Sequence, residues 1–239
     1  MMPDALSAMS RPELLHCDCL IGGSWVSSSE VFPVVDPATE NVIAHVSSAS
    51  EAQVGLAVAE AKTAQVGWFK ENPRHREALL NNWCDQVIEA REDLAALIVL
   101  EQGKPLAEAL GEIDYAASFL RWFAAETRRS YGRTIPSHFE DSHLSTRLIP
   151  VGVAALVTPW NFPAAMLTRK AGAALAAGCG VVAHPSPETP LTALALGELA
   201  VKAGFPSGLI NILPGDSKRV VAQLCDDPRV GALSFTGST

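Results

Sequence analysis

The sequence predicts an α/β fold, with an incomplete parallel sheet in its second half and a helical layer ahead of it. From residue 151 onward, four short apolar runs (151–157, 180–183, 209–213 and 232–235) alternate with helical segments at 163–177, 189–203 and 216–225. A β-α-β-α-β-α-β order gives parallel strands joined by right-handed crossovers. Before residue 131, three long segments carry apolar residues at helical spacing. Across 239 residues, 48% hydrophobic and 18% charged content excludes a disordered chain and suits a well-buried core.

Residues 1–16 read as a ragged leader. The stretch 17–130 opens with short strands at 19–26 and 32–35, turning at Gly22-Gly23-Ser24, and another near 42–46. Ser50, with Gln53 at the capping-box position, starts a first helix that runs to about residue 69. Asn72-Pro73 opens a second, with Leu80, Trp83, Val87, Leu94 and Leu97 as its buried stripe and Gly103 and Pro105 closing it. A third spans about 105–129, with Leu106, Leu110, Ile113, Ala117 and Leu120 on one face. Trp83, Trp122 and Phe123 are expected in the core. Residues 131–150 lose the helical pattern and read as a hairpin, with arms at 134–135 and 145–149. Residues 151–239 hold the βα units.

A formal charge of −8 without a basic cluster argues against nucleic-acid and anionic-membrane partners. The first twenty residues lack the apolar core of a signal peptide, and the Ala/Gly-rich run 171–183 is too short to span a bilayer. Five cysteines without framework spacing suggest reduced thiols and a cytoplasmic setting. His16, Cys17 and Cys19 give only three candidate ligands, so free thiols are expected there and no metal.

Open parallel sheets bind ligands beyond the carboxyl ends of their strands. Three polar turns fall there, at 158–161, 184–187 and 236–238. No Gly-x-Gly-x-x-Gly fingerprint is present, and Gly178-Cys179-Gly180 precedes a strand rather than following one. The residues alone therefore describe a Rossmann-like nucleotide binder with an atypical phosphate turn. On the same grounds Asn161 reads as an N-cap before Pro163, and Arg169-Lys170 as a solvated face.

Taken together, Thr158-Pro159-Trp160-Asn161-Phe162-Pro163, Thr168-Arg169-Lys170, Pro185-Ser186, Glu188-Thr189-Pro190 and Ser234-Phe235-Thr236-Gly237-Ser238-Thr239 closely resemble the coenzyme-binding half of the aldehyde dehydrogenase superfamily. The resemblance covers essentially residues 19–239. Glu101-Gln102-Gly103-Lys104-Pro105 and Tyr115-Ala116-Ala117-Ser118-Phe119 are similar to the succinate-semialdehyde dehydrogenase branch in particular. It implies an aldehyde dehydrogenase-like fold cut before its catalytic domain, an NAD or NADP coenzyme, a small aldehyde substrate and homo-oligomers at full length.

The resemblance also implies roles. Asn161 matches an oxyanion-hole asparagine, whose amide stabilises the charge formed when a thiolate attacks an aldehyde. Arg169 matches an arginine that holds a substrate carboxylate, a task its two-pronged guanidinium suits. Lys170 is expected to order the site. Thr158, Pro159, Trp160, Asn161, His184, Pro185, Ser186, Pro187, Gly215, Gly237 and Ser238 are expected to contact the coenzyme. His184 stands where the family usually has lysine, and Pro187 where it often has glutamate, which leaves NAD against NADP open. Lysine at position 184 would accordingly tighten NADP binding.

The family nucleophile lies in Gly-Gln-x-Cys and its general base in Glu-Leu-Gly-Gly, and this sequence contains neither. Two functions follow as expectations. One is the N-terminal part of an NAD(P)-dependent dehydrogenase for succinate semialdehyde or a related carboxylated aldehyde, inactive by itself. The other is a non-catalytic half-enzyme that binds nucleotide weakly or associates with other subunits through the 131–150 hairpin. A sheet ending at its fourth strand is expected to expose an edge and an apolar face.

Overall fold

A computed structural model describes residues 9–237, so that the expected coenzyme residue Ser238 lies outside it. The first two strands, β1 (Cys19–Ile21) and β2 (Ser24–Val26), form a hairpin over Gly22 and Gly23, both at positive φ. A separate hairpin pairs β3 (Val31–Val35) with β4 (Val42–Ser47). Four helices follow: α1 (Glu51–Lys70), α2 (Pro73–Glu89), α3 (Arg91–Gln102) and α4 (Leu106–Glu126). A third hairpin, β5 (Arg133–Ile135) with β6 (Leu144–Thr146), is exposed along both strands. The chain then alternates β7 (Val153–Val157), α5 (Pro163–Ala176), β8 (Gly180–His184), α6 (Pro190–Ala203), β9 (Ile210–Ile212), α7 (Ser217–Asp226) and β10 (Val230–Phe235).

The main sheet has the order β10-β7-β8-β9-β1-β2. Its four parallel strands are those expected from the apolar runs, and β1 and β2 extend them antiparallel through Leu20 opposite Ile212. The sheet is therefore mixed. Side chains alternate between two cores, as strand geometry requires. Ala154, Leu156, Val181 and Ala183 pack towards α2–α6, whereas Val153, Ala155 and Val182 pack towards α1 and α7. At the other margin β10 pairs with β7 alone among the described residues, and its Leu233 and Phe235 are exposed.

The helix ends follow local chemistry. Ser50 and Gln53 form the expected reciprocal capping box on α1. Asn72 caps α2 through a bond from Arg74 N, with Pro73 in the first turn. Gly103, at φ +80°, ends α3 in the left-handed conformation that glycine adopts without penalty.

Three expectations are corrected. The second helix is two, because the chain turns at Ala90 and restarts with Glu92 and Asp93 in the favourable first turn of α3. Trp122 is 65% exposed, since the buried face of α4 runs through Ile113, Ala117, Leu120 and Ala124 and position 122 lies about 200° around from Leu120. Trp83 is buried, with its indole N–H donating to the Leu196 carbonyl at 3.1 Å, and Phe123 is partly buried. Residues 9–16 are packed rather than ragged: Leu14 is fully buried, and Ser10 donates through N and Oγ to Asp93 at 2.8 and 2.7 Å.

Candidate functional site

From β7 the crossovers α5 and α6 step outward to β8 and β9, whereas α7 returns the chain to the other side of β7 as β10. Reversal of strand order opens a crevice at the carboxyl ends of the strands. A cleft of about 610 Å³ lies there. It is lined by Thr158, Pro159 and Trp160 after β7, His184 at the end of β8 with Ser186 and Glu188 beyond it, Thr236 and Gly237 after β10, and Ser217, Lys218, Val221 and Ala222 of α7. Six expected coenzyme residues, Thr158, Pro159, Trp160, His184, Ser186 and Gly237, are thus brought together.

Four others do not line it. Pro187 lines a neighbouring cavity of about 650 Å³ with Val34, Glu101 and Trp160. Asn161 and Pro185 are not among the cleft's lining residues. Gly215 is buried at φ +145°, and a Cβ there would come within 2.9 Å of Ala49 N, so close backbone packing explains this glycine. Conversely, the sequence reading missed Ser217 and Lys218. They follow Asp216, an N-cap that accepts from Arg219 N, and no pattern before the fold placed that helix start beside β8.

His184 is only 1% exposed. Its Nδ1 donates to the Leu213 carbonyl at 2.8 Å, since a carbonyl can only accept, and its Nε2 lies 2.9 Å from Ser217 Oγ. Burial lowers its pKa, outweighing the Leu213 bond and Asp216. The ring is therefore neutral at pH 7, with Nε2 accepting from the Ser217 hydroxyl. Among the described residues that line the cleft, Lys218 is the one cation and Glu188, hydrogen-bonded by Ser186, the one carboxylate.

The turn after β7 is held by Thr158 N donating to the His184 carbonyl at 3.1 Å. Asn161 is exposed, and its side chain makes no hydrogen bond among the described residues; it does not cap α5. That end is capped by Glu112 of α4, whose Oε1 accepts from Ala164 N at 2.9 Å and Ala165 N at 3.3 Å. Glu101 serves α6 in the same way, accepting from Leu191 N at 2.7 Å and Thr192 N at 2.9 Å. Burial pushes the Glu101 carboxyl up to about 7, against these donors, which favour the anion.

Helix α5 carries Arg169 and Lys170 into another cavity of about 480 Å³ against β10. Phe235 and Thr236 line both this cavity and the cleft. Lys170 Nζ donates to Ser234 Oγ at 2.8 Å, and its pKa is lowered by burial first and by Arg169 second. Arg169 is exposed, with its guanidinium 5.5 Å from the Phe119 ring centroid. None of the five cysteines lines the cleft. Burial raises the thiol pKa of Cys17, Cys179 and, to about 12, Cys19, which is the opposite of activation.

Residues 25–239 match the model of the Aldehyde dehydrogenase family. The chain belongs to this family. It is 50% identical over 221 residues to the non-phosphorylating aspartate-semialdehyde dehydrogenase of Halomonas elongata, covering 92% of this chain and 45% of that protein. It is 46% identical over 233 residues to the NADP(+) succinate-semialdehyde dehydrogenase GabD of Escherichia coli, covering 97% and 48%. The crystal structure of succinate-semialdehyde dehydrogenase from Burkholderia pseudomallei superposes with a TM-score of 0.95 at 44% identity, covering 97% of this chain and 48% of that one. The chain thus spans about half the length of the curated relatives it matches. At that similarity, the chain has the aldehyde dehydrogenase fold over the part that superposes.

Proposed function

We propose that this chain is the coenzyme-binding part of an NAD(P)-dependent aldehyde dehydrogenase oxidising succinate semialdehyde or a closely related carboxylated aldehyde. The observation that carries this is one turn. Trp160 walls the switch-point cleft, Asn161 beside it offers an unengaged amide, and α5 leads directly on to Arg169 and Lys170.

The cleft suits a dinucleotide in volume and lining. Trp160, half-exposed at 52%, offers an aromatic face, Lys218 a donor and Gly237 a side-chain-free approach, while Ser186 and Ser217, whose hydroxyl protons go to Glu188 and His184, offer acceptor oxygens. These residues would hold the coenzyme, which when bound supplies a hydride acceptor. Glu188 could accept from ribose hydroxyls and Lys218 could face a 2′-phosphate, so the lining is compatible with either NAD or NADP.

The Asn161 amide donates to the aldehyde oxygen as negative charge builds on it, and such a donor acts only if held in place beforehand. Arg169 takes the distal carboxylate by paired hydrogen bonds. Lys170, tied to Ser234, orders the α5–β10 junction rather than moving a proton. The 131–150 hairpin is the surface proposed for homo-oligomer assembly, and a cytoplasmic setting is proposed from the unpaired thiols.

In a second reading, the 239 residues taken by themselves bind nucleotide or other subunits without catalysis, because neither Gly-Gln-x-Cys nor Glu-Leu-Gly-Gly occurs among them. Titration of NAD and NADP into the chain, followed by succinate semialdehyde with absorbance read at the reduced-nicotinamide band, separates the readings. Binding with turnover removes the second reading. Binding without turnover favours it for the isolated chain, and no binding of either coenzyme defeats the cleft assignment.

A further inference from the structure

We propose that Lys104 and Glu112 form a positioning pair for the Asn161 turn, clamping its backbone from both sides so that the amide is aimed without being hydrogen-bonded itself. This rests on the oxyanion reading of Asn161.

The pair is buried, Lys104 at 9% and Glu112 at 3% exposure, with Lys104 Nζ 2.5 Å from Glu112 Oε2. The ammonium also donates to the Asn161 carbonyl at 2.9 Å and lies 4.0 Å from the Phe162 ring centroid. Its contacts thus fall on two successive residues of the turn. Glu112 holds the following stretch through its bonds from Ala164 N and Ala165 N. Phe162, at the N-cap position, has no side-chain oxygen to offer them. Between Asn161 and Ala165 the backbone is therefore anchored by one ion pair, Lys104 from the α3–α4 loop and Glu112 from α4.

Lys104 is itself fixed from behind. Gly103 is left-handed, and a Cβ there would come within 2.9 Å of Pro37 Cγ, so the short loop between α3 and α4 has little room to shift. A buried ion pair loses most of its Coulomb gain to desolvation, and a well-packed apolar pair of the same volume generally supports a fold as well. Packing alone gives no reason for two charges here. Aiming a neighbouring backbone does, because an oxyanion donor needs a fixed direction and an open N–H. A side chain that capped its own helix would satisfy the first requirement and lose the second.

The test uses the 239-residue chain labelled with nitrogen-15, and the Asn161 backbone amide is assigned by its shift in Asn161→Asp. In Lys104→Met we expect the order parameters of the Asn161 and Phe162 backbone amides to fall from rigid to mobile values, and Lys104→Arg to restore them. The Asn211 amide, bonded to the Val181 and Gly208 carbonyls, should not change and serves as the control. Should Lys104→Met not fold, the neutral double variant Lys104→Met/Glu112→Gln takes its place. Unchanged Asn161 and Phe162 backbone amides in either folded variant overturn the proposal. So does failure of the neutral double variant to fold, since the pair would then hold the fold and not the turn. Loss of NAD(P) binding in the parent chain would defeat the coenzyme reading separately, and the amide signal would still decide the clamp.

Discussion

Both ring nitrogens of His184 are engaged within the protein, at Leu213 and Ser217. His184→Lys would release the Leu213 carbonyl and the Ser217 hydroxyl and send a cation towards the cleft. NADP should then bind on the order of tenfold more tightly relative to NAD, as one charge-assisted bond provides. Equal shifts for both coenzymes in calorimetric titration would mean that this strand end does not meet the 2′-position. Lys218→Gln is the complement and should weaken NADP more than NAD. Burial holds the folded-state pKa of His184 below its ordinary value of 6.5. Its contribution to stability is therefore complete above pH 6.5 and is lost as pH falls through the lowered value. The turn bearing His184 was legible because it follows an apolar run, but the engagement of its ring was not, since Leu213 and Ser217 lie 29 and 33 residues away.

Helices α5 and α6 both begin with proline and lack a side-chain cap of their own, and each takes one from a glutamate in the preceding layer. With the Glu101 carboxyl pushed up to about 7 from 4.5, the folded chain holds a proton there that the unfolded chain has released. Stability should therefore fall as pH rises between about 4.5 and 7, by at most about 3 kcal/mol from this group. Glu101→Gln should flatten that slope in thermal melts recorded across the window, and an unaltered profile would assign the slope elsewhere. The helices and strands themselves were readable because periods of 3.6 and 2 are local properties of sequence. The turn at Ala90 was not, because no glycine or proline marks it and the stripe from Leu80 to Leu97 runs through it. The caps were also invisible, since Glu101 and Glu112 read as ordinary helix residues until α5 and α6 are laid against them.

For the whole molecule, the four parallel strands were foreseeable from their alternation with helices, but the joining of β1 and β2 to the far edge was not. Three-residue strands carry too little pattern to name a partner that lies, as Ile212 does, almost two hundred residues on. At the opposite margin β10 presents Phe235 and Leu233 to solvent. Leu233→Lys should reduce self-association in sedimentation experiments, because charge on an edge strand opposes edge-to-edge pairing. If the 131–150 hairpin mediates assembly, Ile149→Asp should yield monomers. Unchanged sedimentation would remove that role from the hairpin. In an active enzyme containing this chain, Arg169→Ala should raise KM for succinate semialdehyde far more than for an uncharged aldehyde, and equal losses would remove the carboxylate contact.

The direction of capping also bears on the order of synthesis. Glu101 and Glu112 precede in the chain the helices whose first turns they complete. During translation, which proceeds at about 5–20 residues per second, the carboxylates are in place before either recipient helix exists. If the helical layer folds as it is made, α5 and α6 can be satisfied as they emerge. A circular permutant beginning near Val151 would reverse that order and leave two sets of unbonded amides waiting for partners not yet made.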